Sequence, residues 1–205
     1  MRLVLISDTH GYHEDLALPD GDVLIHAGDL SSMGQPEEIA RFGEWLGRQP
    51  HRHKVVVAGN HDWGFQREPQ RARELLGDCH YLLDSACAIE GFHFWGAPWQ
   101  PWFLSWAFNL QRGPELAAKW ALIPRNTDVL VTHGPPFGIL DRTHSHQDAG
   151  CADLLARVQV VKPRLHVFGH IHEARGTIQV GETIFVNASC WDEGAEAIVV
   201  ELAGR

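Results

Sequence analysis

The sequence predicts an α/β fold in which two mixed sheets lie face to face between outer helices, a four-layer αββα sandwich. Three features favour this fold: short apolar runs suited to buried strands, amphipathic helical segments between them, and groups of short strands joined by turn residues. The 205 residues are enough for one domain with a sizeable core, so we expect residues 1–205 to form a single domain.

Five short apolar runs predict the buried strands. Each run is rich in β-branched residues and nearly continuous in apolar residues, which is typical of strands covered on both faces. Where such strands alternate with helices, the carboxyl ends of the strands are expected to meet in one crevice. The five runs are residues 3–6, 23–26, 55–58, 129–132 and 165–168.

Four segments between these strands have helical patterns. The first begins at Pro36, where a proline followed by two glutamates is typical of a first helical turn. A second apolar stripe begins at Cys151 and stops before Pro163, because proline cannot continue a helix. Residues 68–76 and 114–122 predict two further helices.

Shorter strand-like segments follow Gly77 and recur towards the end of the chain. We expect them to pair as antiparallel hairpins, with a turn around Gly181. These segments are residues 81–83, 86–89, 92–95, 176–180, 183–187 and 195–201.

Composition restricts the classes of partner. The formal net charge is −9 and there is no basic run, so we expect no binding to long nucleic acid and none to a membrane surface. The four cysteines form no CxxC pair and the first residues lack a signal-peptide pattern, which favours a reduced, cytoplasmic protein. The 14 histidines nearly equal the 17 Lys and Arg in number, and this excess, with the acidity, suits a cation-binding protein.

Ligand-type side chains are concentrated where the predicted strands end. Taken alone, each fragment is more often a turn or a helix cap than a site. Together they predict a shared metal site at the carboxyl ends of the strands, since five such ends would face one crevice. The fragments are SDTH at 7–10, GD at 28–29, GNHD at 59–62, THGPP at 132–136 and GHIH at 169–172.

The order D-x-H, GD, GNHD, H and GHxH resembles the calcineurin-like metallophosphoesterase superfamily, over residues 8–172. The stretches at 96–103, 132–136 and 166–173 are similar to those of its metallophosphodomain-containing phosphodiesterases. The chain departs from many relatives after Asp29, where Leu30 follows without a further acidic residue or asparagine nearby. It keeps His170, which some members of that subgroup replace with glycine, and this favours a fully loaded centre.

The resemblance implies two divalent metal ions, Mn²⁺, Fe²⁺/Fe³⁺ or Zn²⁺. Carboxylate, amide and imidazole ligands of this mixture suit such first-row ions. One ion would be held by Asp8, His10, Asp29 and His172, and the other by Asp29, Asn60, His133 and His170, with Asp29 bridging.

The resemblance also implies the chemistry. A hydroxide shared by the two ions would attack phosphorus. His61 would face the substrate, stabilise the developing charge and protonate the leaving oxygen. We expect Asp62 to orient His61 or fix its protonation, the alternative being a loop carboxylate without a catalytic role.

The segment 96–109 concentrates aromatic residues without helical spacing. We single out Trp99 as a candidate substrate-binding residue, because aromatic loops can stack a nucleobase or line a pocket. The alternatives are a loop packed on the second sheet or a dimer contact. His144, two residues before His146, is a second candidate at the active-site rim, and a third metal site is the alternative there.

The resulting hypothesis is a metal-dependent phosphodiesterase acting on small phosphodiesters, for which the resemblance implies 2′,3′-cyclic nucleotides. A phosphomonoesterase or nuclease on the same dinuclear centre is the alternative within the enzyme class. A non-catalytic scaffold of the same fold is the alternative outside it. We expect some of the eight tryptophans to be exposed, which is compatible with a homodimer.

Overall fold

The computed structural model describes residues 1–191 and 194–204. Its strands, in chain order, are Arg2–Ile6 (β1), Val23–His26 (β2), His53–Val56 (β3), His80–Tyr81 (β4), Ser85–Ile89 (β5), Phe92–Ala97 (β6), Gln100–Pro101 (β7), Asn109–Leu110 (β8), Val129–Thr132 (β9), Leu165–Phe168 (β10), Gly176–Val180 (β11), Thr183–Asn187 (β12) and Ile198–Glu201 (β13). Its α-helices are Pro36–Arg48 (α1), Trp63–Arg67 (α2), Pro69–Leu76 (α3), Pro114–Trp120 (α4) and Ala152–Val161 (α5).

The strands form two large mixed sheets. The first has the order β13-β1-β2-β3-β4, with β13 antiparallel to β1 and the other neighbours parallel. The second has the order β11-β12-β10-β9-β6-β5, parallel in its centre and closed at each edge by an antiparallel hairpin. Strands β7 and β8 form a separate two-stranded ribbon. In both sheets the central parallel strands therefore end on one side.

Three apolar clusters confirm the four-layer αββα sandwich. Alternate side chains of β1, such as Leu3 and Leu5, pack against the second sheet, where Phe94 and Val167 belong to the same cluster. The intervening side chains of β1 pack instead with α1 and α3. The outer face of the second sheet is covered by α4 and α5, with Trp120 fully buried. Both sheets are thus covered on both faces, as the continuous apolar runs predict.

Local sequence signals explain where two of the helices begin and end. The Glu38 carboxylate in the first turn of α1 accepts hydrogen bonds from the amide of Gln35, the residue that caps the helix, at 2.9 Å and from the amide of Met33, which precedes it, at 3.2 Å, so it fixes the chain where it enters the helix. Helix α5 ends where Lys162 adopts a left-handed conformation, with φ of 53°, before Pro163.

Several sequence expectations need correction. Strand β4 pairs parallel with β3, and β13 pairs with the first strand of the chain, so neither belongs to a hairpin. Strand β3 lies two residues earlier than expected. The short helix α2 and the ribbon of β7 and β8 were not predicted, because elements of five and two residues show no periodicity. None of the helices formed by the described residues has the length and apolarity needed to cross a lipid bilayer.

Candidate metal centre

The seven predicted metal ligands come together where the strands of both sheets end. Asp8 and His10 follow β1, Asp29 follows β2, Asn60 follows β3, His133 follows β9, and His170 and His172 follow β10. All but His170 and His172, which are partly exposed, are buried. The two sheets thus contribute ligands from opposite sides of one centre.

Ligand-type atoms form three groups in which all atoms lie within 4.8 Å of one another. Two of the groups agree with the predicted ligand sets, apart from Asp29 in the first and Asn60 in the second. In the third, His61 joins two of the predicted ligands. The groups are Asp8, His10 and His172; Asp29, His133 and His170; and His10, Asp29 and His61.

The first group contains close contacts between carboxylates and imidazoles. The Nε2 atom of His172 lies 3.4 Å from Oδ1 of Asp8. The Nε2 atom of His10 lies 3.8 Å from Oδ2 of Asp29, is buried and has no hydrogen-bond partner among the described residues. A buried imidazole nitrogen without a partner, facing carboxylate oxygens, fits a position that a cation would complete.

The second group is organised around His133. Its Nδ1 atom lies 3.0 Å from the carbonyl oxygen of Ala27, which can only accept, so Nδ1 carries the proton. Its Nε2 atom lies 2.8 Å from Oδ1 of Asn60 and 3.3 Å from Oδ2 of Asp29. A backbone carbonyl that fixes the histidine tautomer, with three ligand-type atoms meeting opposite it, is the arrangement that metal-binding histidines have.

The backbone of four predicted ligands is left-handed. The φ angles are 55° at Asp8, 44° at His10, 55° at Asp29 and 69° at His170. Such values cost roughly 1–2 kcal/mol each for residues other than glycine, and strained residues cluster at functional sites. The strain therefore indicates that the fold holds these side chains for a purpose other than stability.

Two glycines provide the room for this arrangement. A Cβ atom on Gly169 would overlap the Asp8 carboxylate, and one on Gly28 would overlap the His133 ring. Gly28 also has a φ angle of 106°, which other residues rarely adopt. The glycines of the GD and GHxH motifs are therefore required by close approach of the ligands.

Burial and neighbouring charges set the protonation of the centre. Burial opposes ionisation of Asp29, but the charge of His133 outweighs it, so the pKa of Asp29 lies far below its ordinary value of 3.8. Burial likewise opposes protonation of His133, but the charge of Asp29 raises the pKa of this histidine to about 9. Burial, reinforced by His133, lowers the pKa of His170 to about 4, and burial also lowers the pKa of His10. At neutral pH the centre therefore combines the Asp29 carboxylate and a protonated His133 with neutral His10 and His170 imidazoles, whose lone pairs are free to ligate, and binding of a cation by His133 would release its proton.

His61 lies beside the ligand groups in contacts that the sequence did not reveal. Its Nδ1 atom lies 2.8 Å from the carbonyl oxygen of Ser32, and its amide donates to Oδ1 of Asp29 at 2.8 Å. Its imidazole stacks on Trp106, with ring centroids 4.0 Å apart, and meets the edge of the His10 ring.

Of the two roles expected for Asp62, its contacts favour the loop carboxylate. Its buried carboxylate accepts hydrogen bonds from the Ser31 hydroxyl at 2.6 Å and from the amides of Ser31, Gly59 and Leu30 at 3.0, 2.8 and 3.3 Å. It therefore joins the loops after β2 and β3 and does not orient His61, because four backbone and hydroxyl donors take up its oxygens. The Ser32 carbonyl, and not the Asp62 carboxylate, contacts the His61 ring nitrogen.

For Trp99 the contacts favour the alternative of a loop packed on the second sheet. Its Nε1 atom donates to Oδ1 of Asp84 at 2.6 Å, and Lys119 lies over its ring, with Nζ 4.1 Å from the centroid. Within the described part of the chain, it makes no ring contact with a histidine of the centre. Trp99 is therefore half-buried against two apolar clusters, with its indole N–H fixed by a carboxylate.

His144 lies in an exposed loop. Its amide donates to Oε1 of Glu173 at 2.5 Å, and its side chain lines an open surface cavity with Arg142 and Arg175. Neither it nor His146 joins a metal-ligand group among the described residues. Its role in substrate binding remains a prediction.

Other aromatic residues occupy the position expected of Trp99. Trp191 stacks on His172 with centroids 5.2 Å apart, and Phe103 meets the edge of His170 at 6.1 Å. Phe103, Trp102 and His170 line a cavity of about 410 Å³, to which Arg112 also contributes. The many aromatic residues between 102 and 108 indicate that rings lie near the site. Because these residues are irregularly spaced, the sequence does not show which ring contacts which histidine.

Known proteins resemble this chain in sequence and in fold. A family model described as calcineurin-like phosphoesterase matches residues 1–174. The proteins described as Metallophosphoesterase domain-containing protein 1 in Homo sapiens and Mus musculus are each 46% identical to this chain over 213 residues. The matches cover 92% of this chain and 65% of each relative, so the chain spans slightly less than two thirds of their length.

Two further similarities are more distant. A Synechococcus protein described as a probable cyclic nucleotide phosphodiesterase is 26% identical over 160 residues, covering 75% of this chain and 58% of that protein. The crystal structure of a Thermus thermophilus protein superposes with a TM-score of 0.63 at 15% identity, covering 91% and 88% of the two chains. The second similarity shows that the fold is shared.

Proposed function

Because the chain belongs to the calcineurin-like phosphoesterase family, we propose that it is a metal-dependent phosphodiesterase acting on small phosphodiesters. The observation that carries most weight is the convergence of seven ligand-type side chains on one buried centre. They are two carboxylates, an amide and four imidazoles, and they come from five strand ends in two sheets. Buried groups of this kind need a shared partner, and a pair of cations satisfies them.

We propose that Asp8, His10 and His172 would hold one divalent ion, that Asn60, His133 and His170 would hold a second, and that Asp29 would serve both. Such ions supply Lewis acidity at the phosphate and lower the pKa of water. The chain orients the ligands: the His170 amide donates to the Asp8 carboxylate, and the Ala27 carbonyl fixes the His133 tautomer.

His61 is the group that we assign to proton transfer. Because its Nδ1 atom faces the Ser32 carbonyl, Nε2 is the nitrogen that can give a proton to the departing oxygen of the substrate. In the same position it can donate to a phosphoryl oxygen as negative charge develops. The chain thus provides a proton donor beside the proposed metal ligands.

Diesters are favoured over monoesters by the charges around the centre. Among the described residues, no arginine or lysine makes an ion pair with Asp8 or Asp29. Arg112 reaches the neighbouring cavity, but its guanidinium donates to the carbonyls of Gly150 and Ala149. A phosphomonoester carries a second negative charge that requires additional cationic groups, and a diester does not.

Cyclic nucleotides, in particular 2′,3′-cyclic ones, are the diesters that we propose as substrates. The cavity of about 410 Å³ next to His170 is large enough for a nucleoside and presents the exposed rings of Trp102 and Phe103, on which a base can stack. The similarity to a probable cyclic nucleotide phosphodiesterase supports the same class.

The test is turnover with added Mn²⁺ on four substrates: bis-p-nitrophenyl phosphate, p-nitrophenyl phosphate, a 2′,3′-cyclic nucleotide and single-stranded DNA. We expect both small diesters to be hydrolysed faster than the monoester and the DNA. His61→Ala should lose turnover of the cyclic nucleotide while keeping its metal content. An inert native protein with both ions bound would favour a scaffold, and faster turnover of the monoester or the DNA would favour a phosphatase or a nuclease.

A further inference from the structure

Trp106 lies outside the sequence motifs and stacks on the His61 ring. The indole and imidazole stack with centroids 4.0 Å apart and planes inclined by 25°. The His10 ring meets the same imidazole edge-on, with centroids 4.6 Å apart and planes at 83°. The His61 imidazole therefore has one aromatic ring stacked on it and a second ring set across it.

A third contact fixes which nitrogen of His61 is available. The Ser32 carbonyl, 2.8 Å from Nδ1, can only accept a hydrogen bond. The stacking determines the plane of the ring, and the carbonyl determines its rotation within that plane. Together the two contacts leave one orientation for Nε2.

The residues after Trp106 are attached to the loop that carries His61. The Ala107 amide donates to the Asn60 carbonyl at 3.0 Å, and the Phe108 amide donates to the Gln66 side chain at 2.7 Å. Ala107 and Phe108 are buried, with exposures of 0% and 2%. Trp106 is therefore held at a fixed position relative to His61 by main-chain bonds on the adjacent residues.

We propose that Trp106 is a positioning residue, whose indole holds the His61 imidazole so that Nε2 is directed at the departing oxygen of the substrate. This rests on the proposed phosphodiesterase function. In the step concerned, His61 starts with a proton on each ring nitrogen: the bond between phosphorus and the departing oxygen breaks, the Nε2 proton passes to that oxygen, and the ring is left neutral with its remaining proton on Nδ1, donated to the Ser32 carbonyl. A displacement of about 1 Å in a catalytic group can reduce a rate by roughly 100-fold, so the position of the ring decides the rate of this step.

The test compares two leaving groups. The alkoxide released from a 2′,3′-cyclic nucleotide is a strong base and needs a proton, whereas p-nitrophenolate from bis-p-nitrophenyl phosphate leaves without one. For Trp106→Ala we expect kcat to fall about 10- to 100-fold on the cyclic nucleotide, and clearly less on the aryl diester, with KM and metal content unchanged. Trp106→Phe should restore most of the rate because it keeps a stacking ring.

Two controls separate positioning from general damage. Leu104→Ala changes an exposed side chain of the same loop and should have no effect on either substrate. The double variant His61→Ala with Trp106→Ala should be no slower on the cyclic nucleotide than His61→Ala alone, because residues that act through one group are not additive.

A spectroscopic measurement does not depend on turnover. In long-range ¹H–¹⁵N spectra of the protein loaded with diamagnetic Zn²⁺, the His61 signal, assigned with His61→Gln, should show a proton fixed on Nδ1. Trp106→Ala should convert it to a mixture of tautomers, and Trp106→Phe should not.

The outcomes are distinct. Equal losses on both substrates, a change confined to KM, or an unchanged His61 spectrum in Trp106→Ala would each overturn the positioning role. If the native protein hydrolyses neither diester, the proposed function fails, and the His61 spectrum still decides whether Trp106 holds the ring.

Discussion

The amide of His170 donates hydrogen bonds to both carboxylate oxygens of Asp8, each at 3.1 Å, across 162 positions of sequence. The contact joins the end of β1 in the first sheet to the end of β10 in the second. It turns the Asp8 carboxylate towards His172, whose Nε2 atom lies 3.4 Å from Oδ1. The orientation of a proposed metal ligand thus depends directly on how the two sheets are packed.

Replacing a single carboxylate should change the number of bound ions in steps. Asp8→Asn keeps the acceptor oxygen for His170 but loses the negative charge, so we expect about one Mn²⁺ per chain instead of two. Asp29→Asn removes the carboxylate shared by both positions and should leave none. Metal content after dialysis, measured by inductively coupled plasma mass spectrometry, checks both, with the substitution Asp15→Asn, in the short helix after the first motif, as the control. Two ions in Asp29→Asn would contradict the shared role.

Ion binding should stabilise the fold. With free Mn²⁺ at about 100 times Kd, one site adds ~2.7 kcal/mol to the free energy of unfolding. For a chain of this length that corresponds to a rise in Tm of about 5–10 °C. Differential scanning fluorimetry with Mn²⁺ and with a chelator measures the shift, which should vanish in Asp29→Asn. An equal shift in that variant would mean that the ions bind elsewhere.

Trp99 should contribute to stability and not to substrate affinity. Trp99→Phe keeps a ring at the position but removes the hydrogen bond from Nε1 to Asp84. Because hydrogen bonds to charged groups contribute roughly 1.5–3 kcal/mol, we expect a destabilisation of about 1–2 kcal/mol in urea unfolding. KM for a cyclic nucleotide should be unchanged. A raised KM with unchanged stability would restore the substrate role that the sequence suggested.

His166 should make the protein sensitive to acid. Its Nε2 atom lies 2.8 Å from the Thr132 hydroxyl, and burial lowers the pKa of His166 from 6.5 to about 3. Between these values the unfolded chain takes up a proton that the folded chain does not. The free energy of unfolding therefore falls as pH decreases below 6.5, by up to ~1.4 kcal/mol per pH unit for this group.

His166→Gln keeps a donor for Thr132 but cannot titrate. We expect the slope of the free energy of unfolding against pH, between pH 6 and pH 4, to decrease by up to ~1.4 kcal/mol per unit. Urea unfolding at a series of pH values gives the slope, with His144→Gln, in an exposed loop, as the control. An unchanged slope in His166→Gln would show that other groups cause the acid sensitivity.

The sequence was sufficient for the features that depend on local pattern. The central parallel strands and α1 follow from apolar periodicity and first-turn chemistry, and the ligand positions follow from glycine-punctuated strand ends. The parallel pairing of β4 could not be predicted, because two residues show no period and their partner is chosen by packing. The direction of the Asp62 carboxylate was missed for a similar reason, since its donors lie on the loop after a different strand.

The aromatic partners of the histidines show the same limit. Trp106 and Trp191 lie 45 and 19 positions from the histidines on which they stack, His61 and His172. Nothing in the local composition distinguishes them from Trp99, which points to Asp84. Only the arrangement of the two sheets decides which ring faces the centre.

The backbone is left-handed at four proposed ligands, Asp8, His10, Asp29 and His170. Metal binding requires a ligand side chain at these positions, whereas the backbone conformation favours glycine. Glycine would relieve the conformational cost at each position, but it offers no atom to a cation. In a homologue that no longer has to bind ions, selection for greater stability of the fold would act at these positions first. Glycines at these positions in a duplicated copy of this protein would therefore indicate that the copy has lost its activity and no longer carries the backbone strain.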